Sequence, residues 1–340
     1  MVKEKLLERL RCSQCSNRFE LENGVEDQGE VKEGSLRCAN CNLEHAIVNF
    51  IPRFVDDDNY AQGFGFQWNI HARTQVDKFN GTQISRDRFY DHTGWLQADL
   101  AGQAILEVGC GSGRFTQIML DAGMVVYSLD YSNAVDACLA NHGLHPNLHI
   151  IQGSVYDAPF DPASFDRVFC FGVMQHTPDV KRTFECLAGF VRPGGWLAVD
   201  VYAKTLKAML HYPRYLLRPV AKRLPAKVLY RLVRGSVAAL LPLSIALKRV
   251  PLIGRYLYPL IPVANYWGAL PLDKERLREW SVLDTFDWLG SYYDQPQTAA
   301  TLGAWLDAAG MEEREVRRMG SFVGTGRKCT EQAGVAKELS

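Results

Sequence analysis

The chain has 340 residues, enough for one catalytic-size domain plus smaller modules. Its 47% hydrophobic and 22% charged content is that of a soluble globular fold and excludes a disordered or fibrous chain. The formal net charge is zero, yet twelve of the 38 basic residues and none of the 38 acidic ones lie between Asp200 and Asp273, so two opposite blocks cancel.

The first eleven residues are short and charged, with no apolar core, so no signal peptide is expected. Cys12-Ser13-Gln14-Cys15 and Cys38-Ala39-Asn40-Cys41 follow, two C-x-x-C pairs with 22 residues between them. Four of nine cysteines in this arrangement point to a metal site in a reducing compartment, hence the cytoplasm, rather than to a disulfide framework. Short strands are expected at 18–21 and 31–37 around a turn-rich 22–30, the layout of a zinc ribbon over residues 1–55. Zinc takes four soft ligands at about 2.3 Å, and Cys12, Cys15, Cys38 and Cys41 would close its sphere, which makes the ion structural. Two redox pairs are the alternative, and His45 is an alternative ligand.

Residues 56–101 read as a helical bridge. It opens on Phe64-Gly65-Phe66-Gln67-Trp68, aromatics that either pack or form a lid over a ligand. From residue 102 strands and helices alternate. Strands are expected at 104–108, 124–129, 148–151, 165–171 and 196–201, the last after an Arg192-Pro193-Gly194-Gly195 turn. Helices are expected at 114–123, 134–141 and 179–191. A helix at 298–309 closed by Gly310, strands at 313–319 and 322–328, and a frayed tail from about Thr330 complete the chain. Such alternation predicts an α/β fold with a parallel sheet.

The first strand runs into Glu107-Val108-Gly109-Cys110-Gly111-Ser112-Gly113. The three glycines let a backbone approach a ligand closely, but a dinucleotide fingerprint looks similar. Glu107 favours a methyl-donor site over a dinucleotide site: a carboxylate repels a pyrophosphate and welcomes an ammonium or sulfonium. Asp130, 17 residues beyond Gly113 at the end of the second strand, can accept hydrogen bonds from two ribose hydroxyls.

Glu107–Gly113 by number 107–113, Asp130, the 153–160 segment, Phe165-Asp166-Arg167-Val168 and Arg192-Pro193-Gly194-Gly195 together resemble the successive motifs of class I S-adenosylmethionine-dependent methyltransferases, over about residues 100–203 and 295–328. The resemblance implies a doubly wound, seven-stranded Rossmann-like sheet with core segments 102–203 and 273–330, and S-adenosyl-L-methionine as cofactor. It implies that Glu107, Gly109 and Gly111 hold the methionine part and that Asp130 holds the ribose. Ser154 and Val155 would flank the adenine, Phe171 would line the pocket near the methyl group, and Gly113 and Tyr131 complete the cofactor set. The family often has an acidic residue after the glycine at 153; here Ser154 stands there, with Asp157 three residues on.

Methyl transfer is an in-line displacement, and a hydroxyl or ammonium nucleophile must also lose a proton. His176 follows the fourth strand, at the carboxyl edge where open α/β sheets bind ligands, and is the catalytic candidate; otherwise it only shapes its loop. Asp284-Thr285-Phe286-Asp287 and Tyr292-Tyr293-Asp294 either line an acceptor pocket or pack.

Between 204 and 272 lies a basic, apolar insertion whose periodicity predicts amphipathic helices. Its uncharged runs, 235–247 and 256–272, contain prolines and the first is short, so no transmembrane helix is expected. One reading is a lid holding a lipid-linked or phosphorylated acceptor, peripheral at the inner membrane face. The others are an RNA-binding surface aided by the ribbon, as in some rRNA methyltransferases, and a packing or dimerisation element; the sequence sets no oligomeric state. The apolar density disfavours RNA. The whole layout also resembles, more loosely, bacterial methyltransferases of surface-polysaccharide and small-molecule pathways, which implies O- or N-methylation of a small-molecule, sugar or lipid-linked glycan acceptor. A non-catalytic binding protein is disfavoured by the intact glycines, Glu107 and Asp130.

Overall fold

A computed structural model describes residues 4–56, 59–204 and 212–330. After a short helix, Glu4–Arg9, the chain forms a four-stranded antiparallel meander: β1 (Phe19–Asp27), β2 (Glu30–Cys38), β3 (Glu44–Val48) and β4 (Ile51–Pro52). β1 and β2 run longer than the sequence pattern implied. Gln28 and Gly29 both take positive φ, 53° and 76°, which is the two-residue hairpin turn that matches strand twist.

This ribbon is not a separate bead. Leu6, Leu10, Phe19, Leu36 and Ile47 share one continuous core with Phe160 and Phe165 of the following domain. Arg9 lies over the Tyr127 and Phe165 rings at 5.0 and 5.2 Å. Arg53 joins the edge of the large sheet beside Gln152 and pairs with Asp136 at 2.7 Å.

The large sheet contains β5 (Ala104–Val108), β6 (Val125–Asp130), β7 (Leu148–Gln152), β8 (Phe165–Cys170), β9 (Val191–Val201), β10 (Met311–Met319) and β11 (Ser321–Lys328). Its order is β10-β11-β9-β8-β5-β6-β7. Five strands are parallel, and β11 runs antiparallel between β9 and β10. This is the doubly wound seven-stranded sheet that the resemblance implied. Every residue of β5 and β7 is buried, as a sheet covered on both faces requires. Strand order reverses between β5 and β8, so a crevice opens at the carboxyl ends of these strands.

One local expectation fails. Arg192-Pro193-Gly194-Gly195 does not precede a strand; it bulges out within β9. The register passes from Phe165↔Val191 to Arg167↔Trp196, with Gly194 at φ 74°.

The bridge holds helices Gln62–Ile70, Asp77–Asn80 and Ile84–Thr93. Within the insertion, residues 205–211 lie outside the described residues; helices Tyr212–Ala221, Ala226–Lys248 and Gly254–Leu257 follow. The run 235–247, expected to be too short and proline-broken to span a bilayer, belongs to a longer helix. Ala226–Lys248 runs through Pro242, where the missing amide falls on an exposed turn that water can reach. At 23 residues it is, by length and composition, long and apolar enough to cross a membrane. Its buried stripe of Leu229, Val233, Val237 and Leu241 instead packs with Leu277, Val282, Phe286 and Leu289 of helix Lys274–Gly290. That helix therefore closes the insertion's own core. The tail read as frayed, beyond Thr330, lies outside the described residues.

Candidate active site and cysteine cluster

The four cysteine sulfurs lie within 4.8 Å of one another. Cys12 and Cys41 Sγ are 3.5 Å apart, and Cys15 and Cys38 Sγ 3.4 Å. Zn–S bonds of about 2.3 Å in a tetrahedron need sulfurs about 3.8 Å apart, so zinc fits if the two close pairs open by a few tenths of an ångström and the wider ones close. Each knuckle turns back on itself, with Ser16 N–H donating to the Cys12 carbonyl and Asn42 N–H to that of Cys38. The close pairs run between the knuckles, not within them, which opposes the reading of two redox pairs. His45 is no ligand: its ring packs on Phe54 and Phe19 at 4.5 and 5.7 Å.

A cavity of about 1010 Å³ opens at the carboxyl ends of β5, β6, β8 and β9. One end is built on the glycine turn. Gly109 has φ 79°, and a Cβ there would stand 2.1 Å from a Val173 methyl. The turn is so close to its neighbours that only glycine leaves the cradle open. At Gly111 the Trp68 indole lies just above the backbone, 3.3 Å from where a Cβ would be, closer than ordinary contact.

Asp130 pins this turn. One carboxylate oxygen accepts from Gly111 N–H at 2.9 Å; the other accepts from Ser132 N–H and Oγ at 2.8 and 2.7 Å. A carboxylate offers about four lone-pair sites, so one remains for a ribose hydroxyl in the cavity it lines. Burial raises its pKa, and the Ser132 and Gly111 donors oppose that. Tyr131, Gly153, Ser154 and Val155 continue the wall, and Asp157 is absent from it. Tyr131 stacks on Tyr60 of the bridge, with centroids 4.9 Å apart. The donor set, the glycine cradle and the open apolar slot beside Tyr131 fit S-adenosylmethionine.

Two assigned cofactor residues are not in that wall. Glu107 is buried beneath the turn, where one oxygen accepts from Thr116 Oγ1 at 2.5 Å and from Ser128 Oγ at 2.7 Å. Burial pushes its pKa up to about 7 against those bonds. It braces the turn from behind rather than facing the cavity. Gly113 faces helix Val135–His142, where a Cβ would meet the His142 ring at 2.3 Å.

At the other end, His176 is buried, with Nδ1 2.9 Å from the Tyr293 carbonyl. A carbonyl only accepts, so Nδ1 carries the proton and Nε2 keeps a lone pair. Among the described residues Nε2 has no hydrogen-bond partner, and Asp287 Oδ2 lies 4.0 Å from it. Phe64 and Tyr202 wall the imidazole at 5.2 and 5.3 Å, and Tyr202 donates to Asp287 at 3.3 Å. The flagged segments divide. Asp284 and Asp287 line the cavity, while Thr285 caps Ala264 N–H, Phe286 enters the insertion core, and Asp294 pairs with Arg218 at 3.5 Å. Phe171 lines the cavity and packs on Phe169 at 4.3 Å.

Several lining residues escaped the sequence reading. Arg88, from helix Ile84–Thr93, donates to Asp200 at 2.6 Å, and Asp200 also accepts from Gly172 N–H. Arg114 donates to Gln75 and Ser85 at 2.8 and 2.9 Å. Asp200 at the carboxyl end of β9 was the legible signal; the arginines carry no motif.

Asp284 accepts from the Tyr266 hydroxyl, and burial pushes its pKa up to about 7. In the unfolded chain it ionises near the ordinary carboxylate value, so the folded state holds the extra proton between about 4 and 7. Stability contributed by the neutral group is present below that window and lost as pH rises through it. Asp284→Asn should therefore raise the melting temperature at pH 8, by an amount corresponding to about 1–3 kcal/mol, and do little at pH 4. Equal gains at both values in thermal melts would refute this.

Residues 106–199 match the family model described as a methyltransferase domain. A curated ubiquinone biosynthesis O-methyltransferase of Paracidovorax citrulli (strain AAC00-1) is 32% identical over 123 residues, 34% of this chain and 52% of that protein. That of Paraburkholderia phymatum is 29% identical over 121 residues, again 34% and 52%. The chain thus spans about half the length of the curated relatives it matches. Among solved structures, magnesium protoporphyrin IX methyltransferase from Synechocystis PCC 6803 aligns at a TM-score of 0.38 and 13% identity, over 81% of this chain and 90% of that one. A likeness at that level says nothing about the substrate.

Proposed function

We propose that this chain, which carries a methyltransferase domain over residues 106–199, is an S-adenosylmethionine-dependent O-methyltransferase of a small hydroxylated acceptor. The observation that carries the reading is His176: a buried imidazole with a fixed tautomer and a free Nε2, in the same cavity as the glycine cradle. The names of the matching relatives agree with a hydroxyl acceptor.

When bound, S-adenosylmethionine supplies an electrophilic methyl group on a sulfonium. The chain's own work is binding, alignment and proton removal. Asp130 and the 109–112 backbone hold the nucleoside and amino-acid ends, and Phe64, Trp68 and Phe171 exclude water. His176 Nε2 takes the proton of the acceptor hydroxyl. Asp287, close to Nε2, stabilises the imidazolium that results. Arg88, Arg114, Asp200 and Asp284 give the acceptor end polar handles of both signs. The exposed face of the insertion is apolar as well as basic, which supports a small or amphiphilic acceptor over RNA.

Calorimetry should give S-adenosylmethionine binding in the micromolar range, on the order of −8 kcal/mol. Asp130→Ala should weaken it by about ten-fold or more, the loss of a charge-assisted hydrogen bond. Absence of binding by the unmodified chain would end the proposal. The acceptor itself is sought by mass spectrometry, scoring phenols, sugar nucleotides and lipid-linked glycans for one added methyl.

A further inference from the structure

The insertion does two things with one short helix. Tyr212–Ala221 presents Arg214 and Tyr215 to the cavity, and Arg218 anchors it by donating to the Trp288 and Ser291 carbonyls at 2.6 and 2.9 Å. Yet Leu216, Leu217 and Val220, one side of the same helix, face outward; Leu216 is 60% and Val220 66% exposed. On Ala226–Lys248, Val228, Leu232 and Leu243 are likewise exposed, away from the stripe that packs on Lys274–Gly290.

The connection after that helix is more extreme. Arg249-Val250-Pro251-Leu252-Ile253 forms a tip in which Leu252 is 88% and Ile253 55% exposed. Leu252 holds φ at 62°, a region that a large L side chain rarely enters. A soluble surface gains nothing from holding two large aliphatic side chains in water on a strained turn.

Charge surrounds this apolar surface. Arg223, Lys227, Arg231, Arg234, Arg249 and Arg255 are exposed, and among the described residues none of them forms an ion pair. No acidic residue occurs between Asp200 and Asp273 to neutralise them. Exposed aliphatic tips ringed by unpaired cations are complementary to one surface in particular, a bilayer with anionic headgroups. The matched methyltransferase domain ends at residue 199, before this segment, so the match says nothing of it.

We infer that the insertion docks the protein on an anionic lipid surface, with the Leu252–Ile253 tip by number 252–253 and the Leu216, Leu217 and Val220 face entering the headgroup region. Because Arg214, Tyr215, Tyr266 and Leu270 of the insertion also line the cavity, docking sets the acceptor end against the membrane. The acceptor class that follows is an amphiphile held in the bilayer with its hydroxyl presented to His176. This last step rests on the proposed methyl transfer; the docking does not.

The test is flotation of the full chain with vesicles of phosphatidylcholine alone and with about a third phosphatidylglycerol. Binding should be about ten-fold or more tighter to the anionic vesicles and fall in high salt. Leu252→Glu with Ile253→Glu, at an exposed tip, should lower vesicle binding by about ten-fold while leaving the melting temperature and S-adenosylmethionine affinity unchanged. A tip variant that floats as well as the parent chain would overturn the inference. So would a parent chain that ignores the anionic vesicles, or one that sedimentation velocity shows to be a dimer broken by the same substitutions. Failure of S-adenosylmethionine binding with intact flotation would remove the methyl-transfer reading and leave docking standing.

Discussion

His176→Ala should lower turnover by about 10²–10⁴-fold while leaving S-adenosylmethionine affinity within about two-fold of the parent. Nδ1 is committed to the Tyr293 carbonyl, so the imidazole cannot rotate or change tautomer without losing that bond. The free Nε2 is buried and unpartnered, which is costly for a polar atom unless a ligand completes it. His45 Nε2 and His92 Nδ1 are also buried without a partner among the described residues, but of the three only His176 both lines the cavity and has a carboxylate, Asp287, within 4.0 Å. His176→Gln keeps a polar group of similar reach but no base, so it should be nearly as inactive and more stable than the alanine variant. Turnover measured at saturating S-adenosylmethionine separates the base from a merely polar group. Unchanged turnover in His176→Ala, or a His176→Gln variant that keeps the parent's turnover, would exclude the proton-acceptor role.

The second large effect concerns the cysteine cluster. Cys38→Ser, or removal of the ion with a strong chelator, should unfold the ribbon and lower the melting temperature of the whole chain. Structural zinc contributes roughly 10–16 kcal/mol of apparent binding free energy in small domains, much of which is folding free energy. Here the loss should not stay local. Leu10, Phe19 and Leu36 pack into the same core as Phe160 and Phe165, and Arg53 ties the ribbon to the edge strand through Gln152 and Asp136. Limited proteolysis should first cut within residues 12–48 of the chelated protein. Near-ultraviolet dichroism should show partial loss of order around Tyr127, which Arg9 covers. If the chelated chain melts at the parent temperature, the cluster holds no structural ion and the shared core suffices.

The sequence-based site reading separates by physical type. Asp130 was legible because a carboxylate at the end of the second parallel strand has one place to point, the crevice. Glu107 was assigned there by its charge and by the family resemblance, yet in a fully buried strand its side chain turns under the sheet to Thr116 and Ser128. Strand alternation fixes which face a residue takes, but in a sheet covered on both faces both sides are apolar, so the pattern carries no such mark. Arg88 and Arg114 escaped because nothing in their local sequence distinguishes them from solvated surface arginines. They become wall residues because Arg88 reaches Asp200 from helix Ile84–Thr93, while Ser85 of that helix and Gln75 hold Arg114. The insertion was read correctly as amphipathic, but its proline was over-weighted: one exposed missing amide does not end a 23-residue helix whose other face is packed.

By itself, then, the sequence determined the order of strands and helices, the cysteine knuckles, the glycine turn and the block of positive charge. These are local properties, set by periodicity, by backbone freedom and by residue spacing along the chain. Only the tertiary structure decided which side chains meet. It brought His176 beside Asp287, placed Glu107 behind the turn, joined the ribbon core to that of the large sheet, and left Leu252 and Val220 in water. Each of those outcomes depends on contacts between segments tens to hundreds of residues apart, whose free energies come from mutual burial and not from any property of the segments alone.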